Sequence, residues 1–91
     1  MKSLPEHLTA YKRTPEFTEN SIPNGLLKDH NTKEGVWGRI VVLEGQLDYI
    51  IQAPEAESIL LQPGQDGIVE PTVKHHVSPH GQVRFYVEFY H

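Results

Sequence analysis

The stretch VWGRIVVLE, from Val36 to Glu44, decides the fold of this chain. Apolar residues stand at both sets of alternating positions, which is typical of a β-strand that other protein covers on both faces. A chain of 91 residues forms one small domain and has little material for a second layer. We therefore expect either the N-terminal arm or a second subunit to cover the outer face of this strand.

Outward from this stretch, the sequence indicates further strands separated by turns. Gly45-Gln46 predicts a tight turn, because glycine adopts positive φ, and the alternation from Leu47 to Ile51 predicts the partner strand of a β-hairpin. Short strands are predicted at Ser58–Gln62 and Ile68–Glu70. The last segment, from Val83 to Tyr90, alternates strictly between apolar and polar side chains and predicts a strand with one buried face.

These strands recur about every ten residues with almost no helix between them, which favours an all-β fold, a small sandwich or barrel. The absence of long helices and of a G-x-G-x-x-G motif excludes a Rossmann domain. Prolines and turn residues in 1–25 predict an irregular N-terminal arm. We expect one domain over 1–91, with the barrel in 26–91.

The amino-acid composition excludes several kinds of partner and metal ligand. Eight Lys and Arg against twelve Asp and Glu give a net charge of −4, so we expect no nucleic-acid partner. The chain has no cysteine, which leaves only nitrogen and oxygen ligands for any metal. No apolar stretch is long enough for a membrane span and no signal peptide is evident, so we expect a cytoplasmic protein without membrane contact.

Three segments resemble one known family: HNTKEGVWG from His30 to Gly38, the run Val42–Leu47, and Val69–His75 with its Pro71. They are similar to the cupin-like domain of tellurite-resistance proteins of the TehB type and to small domains of the YeaR type. The resemblance implies a cupin double-stranded β-helix, or jelly-roll barrel, in agreement with the strand pattern. No glycine-rich methyltransferase loop is present, so neither methyltransferase activity nor a nucleotide cofactor is expected.

The same resemblance implies a metal site centred on His30 and His75. Cupin sites combine several histidines with one carboxylate, and here Thr32 stands where a second histidine is expected, while the carboxylate position falls near Gly38. Two histidines make an incomplete site for zinc, nickel or iron, the candidate divalent metals. The alternative is a pair of partly buried histidines that hydrogen-bond to backbone or water.

A third metal ligand has four candidates, and three of them meet an objection; the candidates are Glu34, Glu70, His76 and Glu88. His76 follows His75 directly, so in an extended strand the two side chains point to opposite faces. Glu88 belongs to the polar set of the last strand, and Glu34 precedes a glycine where the strand is expected to break.

Three further residues are candidates for ligand binding. Trp37 is the sole tryptophan and is suited to wall a cavity or to anchor an interface. Arg39 carries a guanidinium that pairs well with oxyanions, although a surface ion pair explains it equally. Tyr49 lies among aromatic residues of the kind that sheets favour.

These observations leave three functions open. The first is a cupin-like protein that binds a small molecule, an oxyanion or a metal and contributes to tellurite or oxyanion resistance. The second is a metal-dependent cupin enzyme that acts on a small molecule through His30 and His75. The third is a non-catalytic accessory or dimerisation module with a filled barrel. We expect a homodimer in each case, because an unpaired apolar strand edge favours pairing.

Overall fold

The computed structural model describes residues 3–28, 31–52 and 55–91. Strands dominate these residues, as the sequence predicts, and the single short helix is too short and too polar to cross a membrane. The elements in chain order are β1 (Ala10–Arg13), β2 (Phe17–Thr18), α1 (Asn24–Leu27), β3 (Trp37–Ile51), β4 (Glu57–Leu61), β5 (Gly67–Val69) and β6 (His75–Tyr90).

All six strands belong to one antiparallel sheet with the order β1-β6-β3-β4. The short strands β2 and β5 pair with β6 and β3 respectively. The two long strands, β3 and β6, pair with each other over most of their lengths and form the centre of the sheet. The N-terminal arm is more regular than the sequence indicates, because β1 and β2 lie within residues 1–25 and both pair with β6.

The predicted hairpin at Gly45-Gln46 is wrong, because β3 runs through these residues without turning back. Val42 lies opposite Phe85, and Glu44 lies opposite Arg84, the preceding residue of β6. The strand β3 therefore contains one extra residue, Leu43, which forms a β-bulge. Gly45, with a positive φ, pairs with Val83 just after the bulge, and a second shift of register follows before Leu47 pairs with Pro79.

The bulge changes which side chains of β3 face the barrel interior. Ile40 and Val42 are buried before the bulge, whereas Leu47 and Tyr49 are buried after it. Side chains alternate along a strand, so one extra residue moves the buried set from even to odd positions. The run from Val36 to Glu44 is apolar at both parities, but only Gly38, Ile40 and Val42 are fully buried.

The core lies inside the curved sheet and draws on β3, β4, β5 and β6. The prediction for the last strand is confirmed, because Val83, Phe85 and Val87 are buried while the residues between them are partly exposed. The buried apolar set consists of Ile22, Ile40, Val42, Leu47, Tyr49, Leu61, Val69, Val77, Val83, Phe85 and Val87.

Candidate functional site

A narrow cavity lies inside the barrel, between the end of α1 and the inner faces of β3, β5 and β6. It offers about 10 Å³ to the centres of water molecules, which is about the space of a single water. The barrel interior is therefore almost filled by side chains. The described residues that line it are Leu26, Thr32, Gly38, Ile40, Val69, His75, Val77, Phe85, Val87 and Phe89.

His75 is the titratable side chain among these lining residues. It is 2% exposed, and its Nδ1 lies 3.1 Å from the carbonyl oxygen of Val73. A carbonyl only accepts hydrogen bonds, so Nδ1 donates and a neutral ring carries its lone pair on Nε2, the form in which imidazole binds metals. The ring meets Tyr49 edge to face at 5.6 Å between centroids, which fixes its orientation.

Thr32 is the second buried polar side chain of the cavity wall. Its hydroxyl lies 3.4 Å from the carbonyl oxygen of Glu70, and its own carbonyl accepts a hydrogen bond from the Thr72 amide at 3.1 Å. These two bonds tie the segment before β3 to the end of β5. Thr32 stands where the cupin pattern has a histidine, and its hydroxyl is held by the fold at this end of the barrel.

The structure does not bring Glu34, His76 or Glu88 to His75. His76 is half-buried and follows His75 on β6, so its side chain points to the other face of the sheet, as the sequence indicates. Glu34 is exposed in the turn before β3, and Glu88 lies on the outer face. Across residues 3–28, 31–52 and 55–91, no three His, Asp or Glu side chains are placed to hold a metal. His30 lies outside the described residues.

Arg39 and Glu88 belong to a polar network on the outer face of the sheet. Arg39 pairs with Asp66 at 2.7 Å and donates to the hydroxyl of Tyr90 at 3.4 Å. The Tyr90 hydroxyl donates to Glu88 at 2.5 Å, and Glu88 also pairs with Arg13 at 3.3 Å. Hydrogen bonds to Tyr90 and Asp66 raise the pKa of Arg39, so its charge is held by groups of the protein itself.

The same network shifts the acids that it contains. The hydrogen bond from Tyr90, followed by Arg13, lowers the pKa of Glu88. The hydrogen bond to Glu88 in turn raises the pKa of Tyr90. Glu88 is therefore ionised, and its carboxylate is bound by Tyr90 and Arg13, as expected for a structural carboxylate.

The three residues predicted to bind ligand lie on two faces of the sheet. Tyr49 is fully buried, and its hydroxyl donates to the Ile68 carbonyl at 3.0 Å. Burial raises its pKa, and Glu70 and Glu57 add to that shift. Trp37 and Arg39 lie on the opposite, outer face and are half-buried. The fold therefore separates Tyr49 from the other two.

A second concavity, with a volume of about 350 Å³, lies beside the interior cavity and escaped the sequence analysis. It contains two lysines, Lys12 and Lys33, and shares Thr32 and Phe89 with the cavity wall. The only sequence signal was Lys33 within the HNTK segment. Lys12 stands in the arm, and its position became evident only from the pairing of β1 with β6.

Comparison with known proteins assigns the family. The model of the TehB-like domain matches residues 12–87, which is most of the chain. This chain belongs to the TehB-like domain family. The resemblance drawn from the segments around Gly38, Gly45 and His75 is thereby confirmed.

Two curated proteins are similar in sequence to this TehB-like domain. It is 32% identical over 78 residues to the probable S-adenosyl-L-methionine-dependent methyltransferase TehB of Haemophilus influenzae, covering 81% of this chain and 27% of TehB. The chain thus spans about a quarter of that relative. It is 26% identical over 85 residues to the uncharacterized protein YeaR of Escherichia coli K12, covering 85% of this chain and 71% of YeaR.

Solved structures give the same picture of the TehB-like fold. A protein from Escherichia coli K12 matches with a TM-score of 0.88 and 23% identity, covering all of this chain and 97% of the other. TehB from Haemophilus influenzae matches with a TM-score of 0.86 and 28% identity, covering 93% of this chain and 32% of TehB. A cupin-2 domain protein from Shewanella frigidimarina matches at 0.57 and 17% identity, covering 89% and 64%. The fold is the cupin-like β-barrel that the strand pattern and the resemblance predict.

Proposed function

We propose that this TehB-like domain is a small cytoplasmic binding protein that binds a metal at His75, or binds a small molecule or an oxyanion there by displacing side chains that fill the barrel, and contributes to resistance to tellurite or related oxyanions. Family membership supports the link to tellurite. The observation that carries the binding role is the burial of His75 in the wall of an interior cavity whose other lining residues, apart from Thr32, are apolar. The hydrogen bond from Nδ1 to the Val73 carbonyl satisfies one ring nitrogen, and a neutral ring held in this way carries its lone pair on Nε2, the atom through which an imidazole binds a metal or accepts a hydrogen bond.

For a metal, His75 supplies one nitrogen ligand, and the described residues form no group of three His, Asp or Glu side chains around it. The metal hypothesis therefore depends on His30. If His30 lies near His75, the pair offers two imidazoles to zinc, nickel or iron, and a third donor has to come from the ligand or from solvent. Such a metal would act as a Lewis acid toward a bound molecule, which is the basis of the alternative that this domain is a cupin enzyme.

Metal content separates these alternatives. Untagged protein, purified without chelator, is analysed by mass spectrometry beside the variants His30→Ala, His75→Ala and His76→Ala. Near-stoichiometric metal that is lost in the first two variants and kept in the third supports the metal site. His76 is the matched control, because it is the adjacent histidine and points to the other face. Equal metal in all four proteins would refute the assignment.

If the parent contains no metal, direct binding tests the remaining part of the proposal. Isothermal titration with tellurite is run on the parent, on His75→Ala and on His76→Ala. We expect heat of binding that disappears only in His75→Ala. His75→Ala also loses about 1–3 kcal/mol of stability, because it removes a buried hydrogen-bonded group, so each variant is first checked for cooperative unfolding. Tellurite binding that is unchanged in His75→Ala, or absent from the parent, would contradict the proposed site.

A second candidate function is an accessory module that forms a homodimer. Trp37, Val41 and Leu43 lie half-buried along the outer face of β3, and Tyr86 lies opposite Val41 on β6. A partly exposed apolar row of this kind on an acidic, otherwise polar domain is typical of an interface. Light scattering at micromolar concentration should give twice the mass of 10.4 kDa, and Val41→Glu should return it to the single mass. A monomer in the parent would exclude this module.

A further inference from the structure

The cleft beside the barrel has the composition of an anion site. Its described lining residues are Tyr11, Lys12, Asn31, Thr32, Lys33, Val36 and Phe89, which include two lysines and no acid. Its volume of about 350 Å³ lies in the range of small-molecule sites, about 300 to 1,000 Å³. Val36 and Phe89 form an apolar side of the cleft. The cleft therefore combines positive charges with an apolar surface.

Strand register explains why Lys12 faces this cleft. Lys12 lies directly opposite Phe89 in the antiparallel pair of β1 and β6. Residues that are directly opposite each other point to the same face, and Phe89 packs against the core. Lys12 therefore points to the inner side of the sheet at its edge. Its neighbour Arg13 points outward, where it pairs with Glu88.

Lys33 reaches the cleft from the segment before β3, beside an anchored residue. The preceding Thr32 is 7% exposed and is held by its bonds to Glu70 and Thr72. Asn31, on the other side of Thr32, adds an amide that can donate hydrogen bonds to an anion. The nearest acid in sequence, Glu34, is exposed and does not line the cleft.

The lysines differ from the arginines of this chain in their ion pairing. Arg13, Arg39 and Arg84 each pair with at least one carboxylate. By contrast, Lys12 and Lys33 form no ion pair within residues 3–28, 31–52 and 55–91. In a chain with a net charge of −4, this cleft is a local concentration of positive charge, carried by two exposed lysines.

We propose that this cleft binds a small organic anion, with its carboxylate at Lys12 and Lys33 and its apolar part against Val36 and Phe89. The site is separate from His75, which does not line the cleft. This site would give the domain a second class of ligand. The proposal does not depend on whether His75 binds a metal. The shared wall of Thr32 and Phe89 places the bound anion next to the barrel interior.

Titration with benzoate, followed by two-dimensional amide NMR, tests the proposal. We expect shifts in Lys12, Lys33, Val36 and Phe89, and much smaller shifts with benzyl alcohol, which has the same ring without the charge. Added salt should weaken benzoate binding, because the Debye length falls to about 10 Å at 0.1 M. Equal shifts with benzoate and benzyl alcohol would overturn the role of charge, and shifts confined to other residues would overturn the site.

Variants identify the charges that matter. Lys12→Met and Lys33→Met keep the length of the stem and remove the ammonium, and each should weaken benzoate binding about tenfold. Lys74→Met is the matched control, since Lys74 is exposed and does not line the cleft. Benzoate affinity that is the same in all three variants and the parent would refute the proposal. His75→Ala should bind benzoate as the parent does, which distinguishes this site from the one at His75.

Lys12 also has a structural alternative that the same variants expose. Inward-pointing charges on edge strands protect a sheet against association with other chains, and β1 is an edge strand. If Lys12→Met associates in light scattering but binds benzoate like the parent, the lysine protects the edge and the proposed site is wrong. A monodisperse Lys12→Met protein with weakened benzoate binding supports the site.

Discussion

Replacing Gly45 by alanine tests the account of the bulge in β3. Gly45 has a φ of +78°, and a Cβ built on it would lie 1.9 Å from the carbonyl oxygen of Gln82 and 3.0 Å from the Cα of Val83. Both atoms belong to the backbone of β6, so no side-chain rotation relieves the overlap. Alanine at this position has to separate the two central strands of the sheet.

The expected loss of stability has two parts. The left-handed conformation costs an alanine about 1–2 kcal/mol relative to glycine. The overlap with β6 adds a cost of the kind seen when extra atoms are forced into a packed core, about 1–3 kcal/mol. Gly45→Ala should therefore lower the free energy of unfolding by about 3 kcal/mol, which corresponds to a fall in Tm of roughly 15 °C for a domain of this size.

Gly35→Ala separates these two parts. Gly35 has a φ of +81°, and a Cβ built on it meets nothing within 4 Å. This variant should lose only the conformational part, about 1 kcal/mol or roughly 5 °C. Urea denaturation is followed by the fluorescence of Trp37, the sole tryptophan, and by circular dichroism. Equal losses in the two variants would refute the close approach of β3 and β6 at the bulge.

Three further predictions concern the core and the outer network. Tyr49→Phe removes the hydroxyl that donates to Ile68 and should cost about 1 kcal/mol in urea denaturation; an unchanged midpoint would contradict that hydrogen bond. Phe85→Ala empties a fully buried position and should cost about 3–5 kcal/mol, so a loss below 1 kcal/mol would mean that the site is not packed. The lowered pKa of Glu88, which accepts from Tyr90, stabilises the fold above the ordinary glutamate pKa, and this contribution is lost as pH falls through the lower folded pKa. Glu88→Gln should therefore cost about 0.5–1 kcal/mol at pH 7 and progressively less as the pH falls below the ordinary glutamate pKa; a cost that does not change with pH would exclude this linkage.

The all-β fold could be predicted from sequence because apolar and polar residues alternate without interruption in the last strand. Val83, Phe85 and Val87 alternate with partly exposed residues over a strand that contains no bulge in this part. The pattern of β3 was harder to interpret, because the bulge at Leu43 exchanges inner and outer positions just before Gly45. A glycine with positive φ has the same sequence signature in a bulge as in a turn, and only the pairing with β6 distinguishes them.

The candidate site was predictable only in part, since its chemistry depends on contacts between distant segments. His75 stood out by its residue type, and the opposite orientation of His76 followed from strand geometry. The neutralisation of Arg39 by Asp66 was not evident from sequence, because Asp66 lies in a turn that folds back beside β3. The position of Lys12 in the cleft could not be predicted from sequence, because only the pairing of β1 with β6 places it in the same cleft as Lys33.

The pairing of β3 with β6 has a consequence for how the chain reaches its native state. Trp37 lies opposite Tyr90, and Ile51 lies opposite His75, so the central ladder joins two segments that are distant along the chain. Proteins dominated by such non-local contacts fold slowly, in roughly milliseconds to seconds, because loop-closure entropy is lost before contacts compensate for it. The strands β4 and β5 pair with β3, whereas β1 and β2 pair with β6 and therefore gain a template only when the last strand is in place. We therefore expect the last strand of the chain to be needed before any large part of the barrel becomes protected from hydrogen exchange.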